Sequence, residues 1–264
     1  MKQLLPSLLI LLLFTGLPAY AAIKGEPVDY SANGVTLKGY LAYDTDIKGK
    51  RPGVLVVHEW WGHNEYARKR ARMLAELGYT ALAIDMYGDG KNTGHPNEAK
   101  KFMMAVINNM AVAEARFMAA QTFLKTQHTV DTDKIAAMGY CFGGGIVLAM
   151  ARAGVDLDGV ASFHGSLATK TPAKQGIVKA KLLVVHGEAD QFVSPEQVKD
   201  FKQEMENAKV DLEFVGYPGV QHSFTNPEAD QFAKRFGIPV AYDKTADEDS
   251  WKTLQDFLKR IFAD

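Results

Sequence analysis

The chain has 264 residues, with 30 Lys+Arg against 31 Asp+Glu and a net charge of −1. That balance offers no basic excess for holding nucleic acid, and 47% hydrophobic with 23% charged residues suits a globular protein with a real core and not a disordered one. The single cysteine, Cys141, excludes a disulfide framework within the chain and any multi-cysteine zinc or iron–sulfur centre.

Residues 1–21 read as a secretory signal peptide. Lys2 gives a positive start, Leu8-Leu9-Ile10-Leu11-Leu12-Leu13-Phe14 an unbroken apolar run, and Ala19-Tyr20-Ala21 a small-x-small cleavage pattern. The run falls well short of the ~20 residues that a spanning helix needs. Cleavage after Ala21 is expected, leaving residues 22–264 as one exported domain, secreted or periplasmic, with no membrane insertion.

Alternating strands and helices follow. Residues 28–31 and 35–41 form a hairpin around Asn33-Gly34, a strong tight-turn signal. Residues 53–58 are a short apolar run of the kind a strand buried on both faces requires. Residues 65–77 have helical spacing and stop at Gly78, a natural helix terminator. Residues 79–84 are the next buried strand, and 97–126 a long helical region divisible into two helices. A strand over 134–139 leads to a helix over 143–152, with further strands at 159–163 and 182–186. Ser194-Pro195-Glu196 opens a helix, with Ser194 as N-cap and Pro195 in the first helical position. Residues 211–215 are the last strand and 250–262 a closing helix. This order predicts an α/β fold, a mostly parallel central sheet with helices on both faces. Ligands then belong at the carboxyl ends of the strands.

Gly139-Tyr140-Cys141-Phe142-Gly143-Gly144-Gly145 lies between a buried strand and a helix, the setting of a nucleophile elbow. The glycines permit a turn too sharp for side chains, and the helix N-terminus favours a thiolate at Cys141. The alternative is a buried structural cysteine beside a packing contact; a P-loop is disfavoured because the Lys-Ser/Thr ending is missing. In this fold the acid and the base follow the nucleophile in that order. Asp190, in the loop after the 182–186 strand, is the candidate acid with Glu188 as a near alternative. His222, in Gln221-His222-Ser223-Phe224 after the last strand, is the candidate base. His58-Glu59-Trp60-Trp61-Gly62 follows the strand whose loop supplies one oxyanion donor, so the amides of Trp60 and Phe142 are the expected oxyanion hole. Trp60 and Trp61 wall either a pocket or the core. Glu59, read from the residues alone, is a carboxylate at the active end of the sheet or a surface acid near the helix cap at Asn64.

Together, His58-Glu59-Trp60-Trp61-Gly62, Gly139-Tyr140-Cys141-Phe142-Gly143-Gly144, Gly187-Glu188-Ala189-Asp190 and Gln221-His222-Ser223-Phe224 resemble the dienelactone hydrolase family of α/β-hydrolases, from about Val35 to Phe262. The resemblance implies a triad of Cys141, His222 and Asp190. It implies a glutamate, Glu59, that contacts the resting cysteine and restrains it. It also implies hydrolysis of cyclic enol esters without metal or cofactor, by a monomer. The chain departs from the family at the arginines that grip an anionic substrate. Asp85-Met86-Tyr87-Gly88-Asp89-Gly90 contains none, and Asn226 stands where the other is expected. Asn cannot replace the charge of a bidentate clamp; Lys91 and Arg235 are the cations left to compensate. A broader carboxylesterase or thioesterase is therefore the main alternative. A non-catalytic ligand-binding protein is disfavoured by the complete triad, and a thiol redox protein by the absence of a resolving cysteine.

The remaining features read as structural. His58 and His63 share a loop, His95, His128, His164 and His186 are scattered, and no metal-ligand spacing emerges. Met103, Met104, Met110 and Met118 suit core filling, and Arg68-Lys69-Arg70 with Arg72 a solvated helix face.

Overall fold

The structure is a computed structural model that describes residues 22–263; the expected signal peptide lies outside the described residues. Eight strands form one sheet in the order β1-β2-β4-β3-β5-β6-β7-β8. Strands β1 (Ile23–Ala32) and β2 (Val35–Asp44) make the antiparallel hairpin. Asn33 and Gly34 both adopt positive φ, 49° and 77°, as the tight hairpin turn requires. β2 pairs antiparallel with β4 (Thr80–Ile84). All later pairings are parallel, through β3 (Arg51–Val57), β5 (Val130–Tyr140), β6 (Gly159–Phe163), β7 (Lys181–Gly187) and β8 (Leu212–Tyr217).

The apolar runs are buried on both faces because helices cover both faces. Successive residues of a strand point to opposite sides. Leu55, Val57, Leu82, Ile84, Ala137, Val160 and Leu182 join one core layer, and their neighbours Val54, Val56, Ala81, Ala83, Ala136, Ala161 and Leu183 join the other. The first layer packs under α2 (Pro96–Ile107), α3 (Met110–Lys125), α4 (Phe142–Arg152) and α5 (Pro195–Asn207). The second lies under α1 (Glu65–Glu76) and α7 (Lys244–Phe262).

Local chemistry sets the helix ends. Asn64 caps α1 by accepting from the Ala67 amide, and Ser194 with Gln197 forms a reciprocal capping box on α5. The region over 97–126 is two helices, broken where Asn109 caps α3. Several element boundaries differ from expectation, β1, β2 and β5 being longer, and one helix is additional. α7 starts at Lys244 because Asp243 caps the Ala246 amide, upstream of the apolar periodicity. α6 (Ala229–Phe236) was not anticipated: it has eight residues and no side-chain cap, and its one clear signal is Gly237 at φ 65°.

Two surface-or-core expectations are corrected. Met104, Met110 and Met118 are 37–39% exposed, because Val106, Ala113, Phe117, Ala120 and Leu124 cover the sheet instead. Arg70 is buried, not solvated. It donates to the Thr225 carbonyl at 2.7 Å and Asp247 at 2.6 Å and lies against Tyr66, Tyr140 and Trp251.

α4 approaches the carboxyl end of β3 so closely that a Cβ on Gly143 would lie 2.4 Å from the Val57 carbonyl oxygen and 2.7 Å from that of His58. Both obstacles are backbone, so neither can swing aside. Gly143→Ala is expected to lose about 2 kcal/mol or more of stability, at the upper part of the overpacking range. Urea unfolding reads this directly; an unchanged midpoint would contradict the close approach.

Candidate active site

β5 runs into α4 through Cys141, whose backbone sits at φ 54°, ψ −115°. A non-glycine residue held there stores strain of about 1–3 kcal/mol. The surroundings fix it: the Cys141 amide donates to the Phe163 carbonyl at 3.0 Å and to Nδ1 of His164 at 3.1 Å. The cysteine is half-buried and lines the main cavity of the molecule. Because α4 begins at the next residue, its unpaired first-turn amides lie beside the sulfur.

His222 follows β8 on a loop tied down by the bond from the Ala241 amide to its carbonyl. Its Nδ1 is 2.7 Å from Oδ2 of Asp190. The other oxygen of Asp190 accepts from the Phe192 amide at 2.8 Å, which orients the carboxylate. His222 also lies in the field of Cys141, and the two line the same cavity. Burial opposes charge on His222. The field of the neighbouring Cys141, the hydrogen bond with Asp190 and the charge of Asp190 outweigh that penalty and hold the imidazole above its ordinary range. Glu188, the near alternative to Asp190, is exposed and lies against Gly216.

The β3 loop brings Glu59, Trp60 and Trp61. Glu59 is buried, not a surface acid. Its oxygens accept from Ser223 Oγ at 3.2 Å and Asn226 Nδ2 at 2.6 Å, and among the described residues no hydrogen bond joins it to Cys141. Burial raises its pKa, opposed by the Asn226 bond and the nearby His222 charge. Asn226, at the position where an arginine was sought, is thus a partner of Glu59. Trp60 is half-buried and Trp61 buried, and both line the cavity. Tyr87 holds the Trp60 carbonyl at 2.9 Å, and Trp61 stacks on Phe232 of α6 with ring centroids 4.2 Å apart. Among the described residues, the amides of Trp60 and Phe142 donate no hydrogen bond to another segment. Lys91 and Arg235 do not line the cavity.

His164 had been passed over. It lies just past β6 with φ 40°, fully buried. Its Nδ1 accepts from the Cys141 amide, so the ring proton is on Nε2 and donates to Thr225 Oγ1 at 2.8 Å. Thr225 Oγ1 in turn meets the Tyr66 hydroxyl at 2.7 Å, and Tyr66 accepts from Arg70 Nε. Burial, reinforced by the His222 charge, keeps His164 neutral. Its edge faces the His222 ring, centroids 4.9 Å apart. Only its place after a strand hinted at a role.

The cavity above these groups measures about 1270 Å³. Phe192, Val193, Phe232, Ile238 and Val240 wall the His222 side, and the α2–α3 junction and α4 extend it the other way. No helix among the described residues is long and apolar enough to cross a membrane.

Residues 37–262 match the model of the dienelactone hydrolase family. The chain is 30% identical over 241 residues to "Protein usf" of Aquifex pyrophilus, covering 89% of this chain and 98% of the relative. It is 27% identical to the "Putative carboxymethylenebutenolidase" of Aquifex aeolicus (strain VF5), with the same coverage. Among solved structures, a dienelactone hydrolase-like promiscuous phosphotriesterase from metagenomic libraries superposes with TM-score 0.86 at 35% identity. That match covers 91% of this chain and 99% of the other.

A raised pKa means that His222 keeps its proton as pH rises through the usual histidine range. Nitrogen-15 NMR is expected to show His222 as imidazolium at pH 8 in the wild type, and titrating at clearly lower pH in Cys141→Ala. The same midpoint in both proteins would rule out the sulfur as the source of the shift.

Proposed function

The chain belongs to the dienelactone hydrolase family and is a hydrolase of that type; from this premise we propose that it cleaves ester or lactone bonds with Cys141 as nucleophile, His222 as base and Asp190 as orienting acid. The observation that carries the reading is the position of one imidazole. His222 bonds Asp190 at 2.7 Å through Nδ1, and it shares with Cys141, whose field acts on it, the wall of one large cavity.

The chemistry follows from those contacts. With the proton already held on His222, the Cys141 sulfur bonds the carbonyl carbon. The carbonyl oxygen takes the negative charge, in reach of the free amides of Trp60 and Phe142. Loss of one such donor typically costs ~100–1000-fold in rate. The carbon–oxygen bond then breaks, and His222 returns its proton to the departing alkoxide. Water attacks the thioester and gives a proton to His222, the carbon–sulfur bond breaks, and the acyl group leaves as the acid while the sulfur returns beside the protonated imidazole. With a lactone, the alcohol stays tethered until the second half. Asp190 fixes the His222 tautomer and steadies the cation. Glu59 acts from beneath the His222 loop, where its charge favours the imidazolium. All these groups come from one chain, so a monomer suffices.

A broad carboxylesterase or thioesterase is the second reading. It is favoured by the apolar cavity and by the absence of Lys91 and Arg235 from its lining. Phosphotriesters belong in the same screen, since a relative at 35% identity bears that activity in its title.

Cys141→Ala is expected to fold normally and to lose at least about a thousandfold in kcat/KM on a small activated ester, the scale of losing a triad member. Turnover near the wild-type rate by a folded Cys141→Ala protein would overturn the mechanism.

We also propose export, with the mature chain beginning at Ala22. N-terminal sequencing of protein from a periplasmic or culture fraction is expected to read Ala22-Ile23-Lys24. A chain still carrying Met1 and retained in the cytoplasm would contradict it.

A further inference from the structure

The cavity extends far beyond the reacting atoms. From Cys141 it follows α4, where Gly145, Ile146, Ala149, Met150 and Ala153 line it in turn, one face of a helix at the expected spacing. Met103, Ile107 and Met110 line one side, and residues 166–177 the other. Ile177 marks the far end: a Cβ on Gly154, just past α4, would lie 3.0 Å from its side chain. At 1.5 Å per residue, Cys141 to Ala153 spans about 18 Å. An extended chain advances about 1.2 Å per bond, so that length accommodates roughly fifteen bonds.

The lining around the opening is unusually apolar for a surface. Ile107, Met110, Ile177 and Phe192 are 42%, 39%, 45% and 53% exposed, and all four border this one cavity. They make up half of the exposed large hydrophobics among the described residues. Such a cluster marks a surface that a ligand covers. The cations of this region do not turn it into an anion site near the sulfur. Arg152 is engaged by both oxygens of Glu204 at 2.8 Å and by the Leu167 carbonyl, and Lys170 and Lys174 line the cavity only on its 166–177 side.

We propose that the groove along α4 binds an unbranched aliphatic chain of the ester substrate, which makes esters of medium-chain length and longer the preferred class. The proposal rests on the hydrolase reading above. Each methylene that leaves water for the groove strengthens binding, and a half-open groove is expected to yield about a twofold gain per methylene, less than the full burial value. The groove geometry leaves two sources for the chain, acid side or alcohol side, and each has its own series.

The test measures kcat/KM for p-nitrophenyl acetate, butyrate, octanoate and dodecanoate, and separately for ethyl, octyl and dodecyl acetates. One series is expected to climb at least tenfold from its shortest to its longest member. Ala149→Phe, which fills the floor midway, is expected to lower the longest-to-shortest ratio in that series at least tenfold. Ile107→Asp, at an exposed position that tolerates a charge in folding, is expected to lower the same ratio without filling the floor. Flat or falling rates in both series, or a climb that neither variant alters, would overturn the groove. Short-ester turnover that disappears in Cys141→Ala alongside flat series would overturn the groove alone, whereas no turnover of any ester would overturn the hydrolase reading with it.

Discussion

At Cys141 the chain turns from the end of β5 into α4 with φ 54°, a conformation that an L side chain occupies only when its neighbours enforce it. Here they do. The Cys141 amide is held by the Phe163 carbonyl and by His164, both at the end of the adjacent strand β6. Gly139 and Gly143 leave no room for a side chain, since a Cβ on the first would lie 2.2 Å from the carbonyl oxygen of the second. The strain lifts the sulfur to the rim of the sheet and sets the start of α4 beside it. His222 and Asp190 need only arrive from neighbouring loops, and parallel strands deliver them to the same edge.

The loop after β8 unites these parts. In five consecutive positions it carries His222, Ser223, Phe224, Thr225 and Asn226. His222 bonds Asp190 and lines the same cavity as Cys141, Ser223 and Asn226 clamp Glu59, and Thr225 receives His164. From Thr225 a buried chain of polar contacts continues through Tyr66 and Arg70 to Asp247 on α7. The elbow amide is therefore linked to a helix on the opposite face of the sheet by groups that are nearly all satisfied. Buried polar networks of this kind rigidify when complete and are costly when broken. That explains why Arg70, a charge deep in the protein, is tolerated: Asp247 and the Thr225 carbonyl take its donors while three aromatic rings pack around it.

Much of this was legible before the structure. Strands buried on both faces announce themselves as unbroken apolar runs, and the glycine spacing around Cys141 has few other uses. Asp190 and His222 stand out because each lies just past a strand in the order the fold uses, and the structure brings the two into contact. What was missed depended on tertiary contacts that no local pattern encodes. Arg70 sits in a run of cations that looks solvated, and only the position of Asp247, far along the chain, turns it inward. Met110 and Met118 carry the residue type of a core but face outward, because alanines and Phe117 take the sheet side of α3. His164 shares no motif with Cys141, and its role follows from the pairing of β5 with β6. The Glu59 contacts could not be read either, since Ser223 and Asn226 meet it across 164 and 167 residues of sequence.

The account stands or falls on a covalent bond to one sulfur. Mixing the protein with a slowly turned-over activated ester, quenching in acid and mapping peptides by mass spectrometry reports that bond directly. An acyl group is expected on the peptide containing Cys141, rising and decaying with turnover. Steady hydrolysis with no adduct on that peptide, or with the acyl group on Ser223 or Ser166 instead, would contradict it.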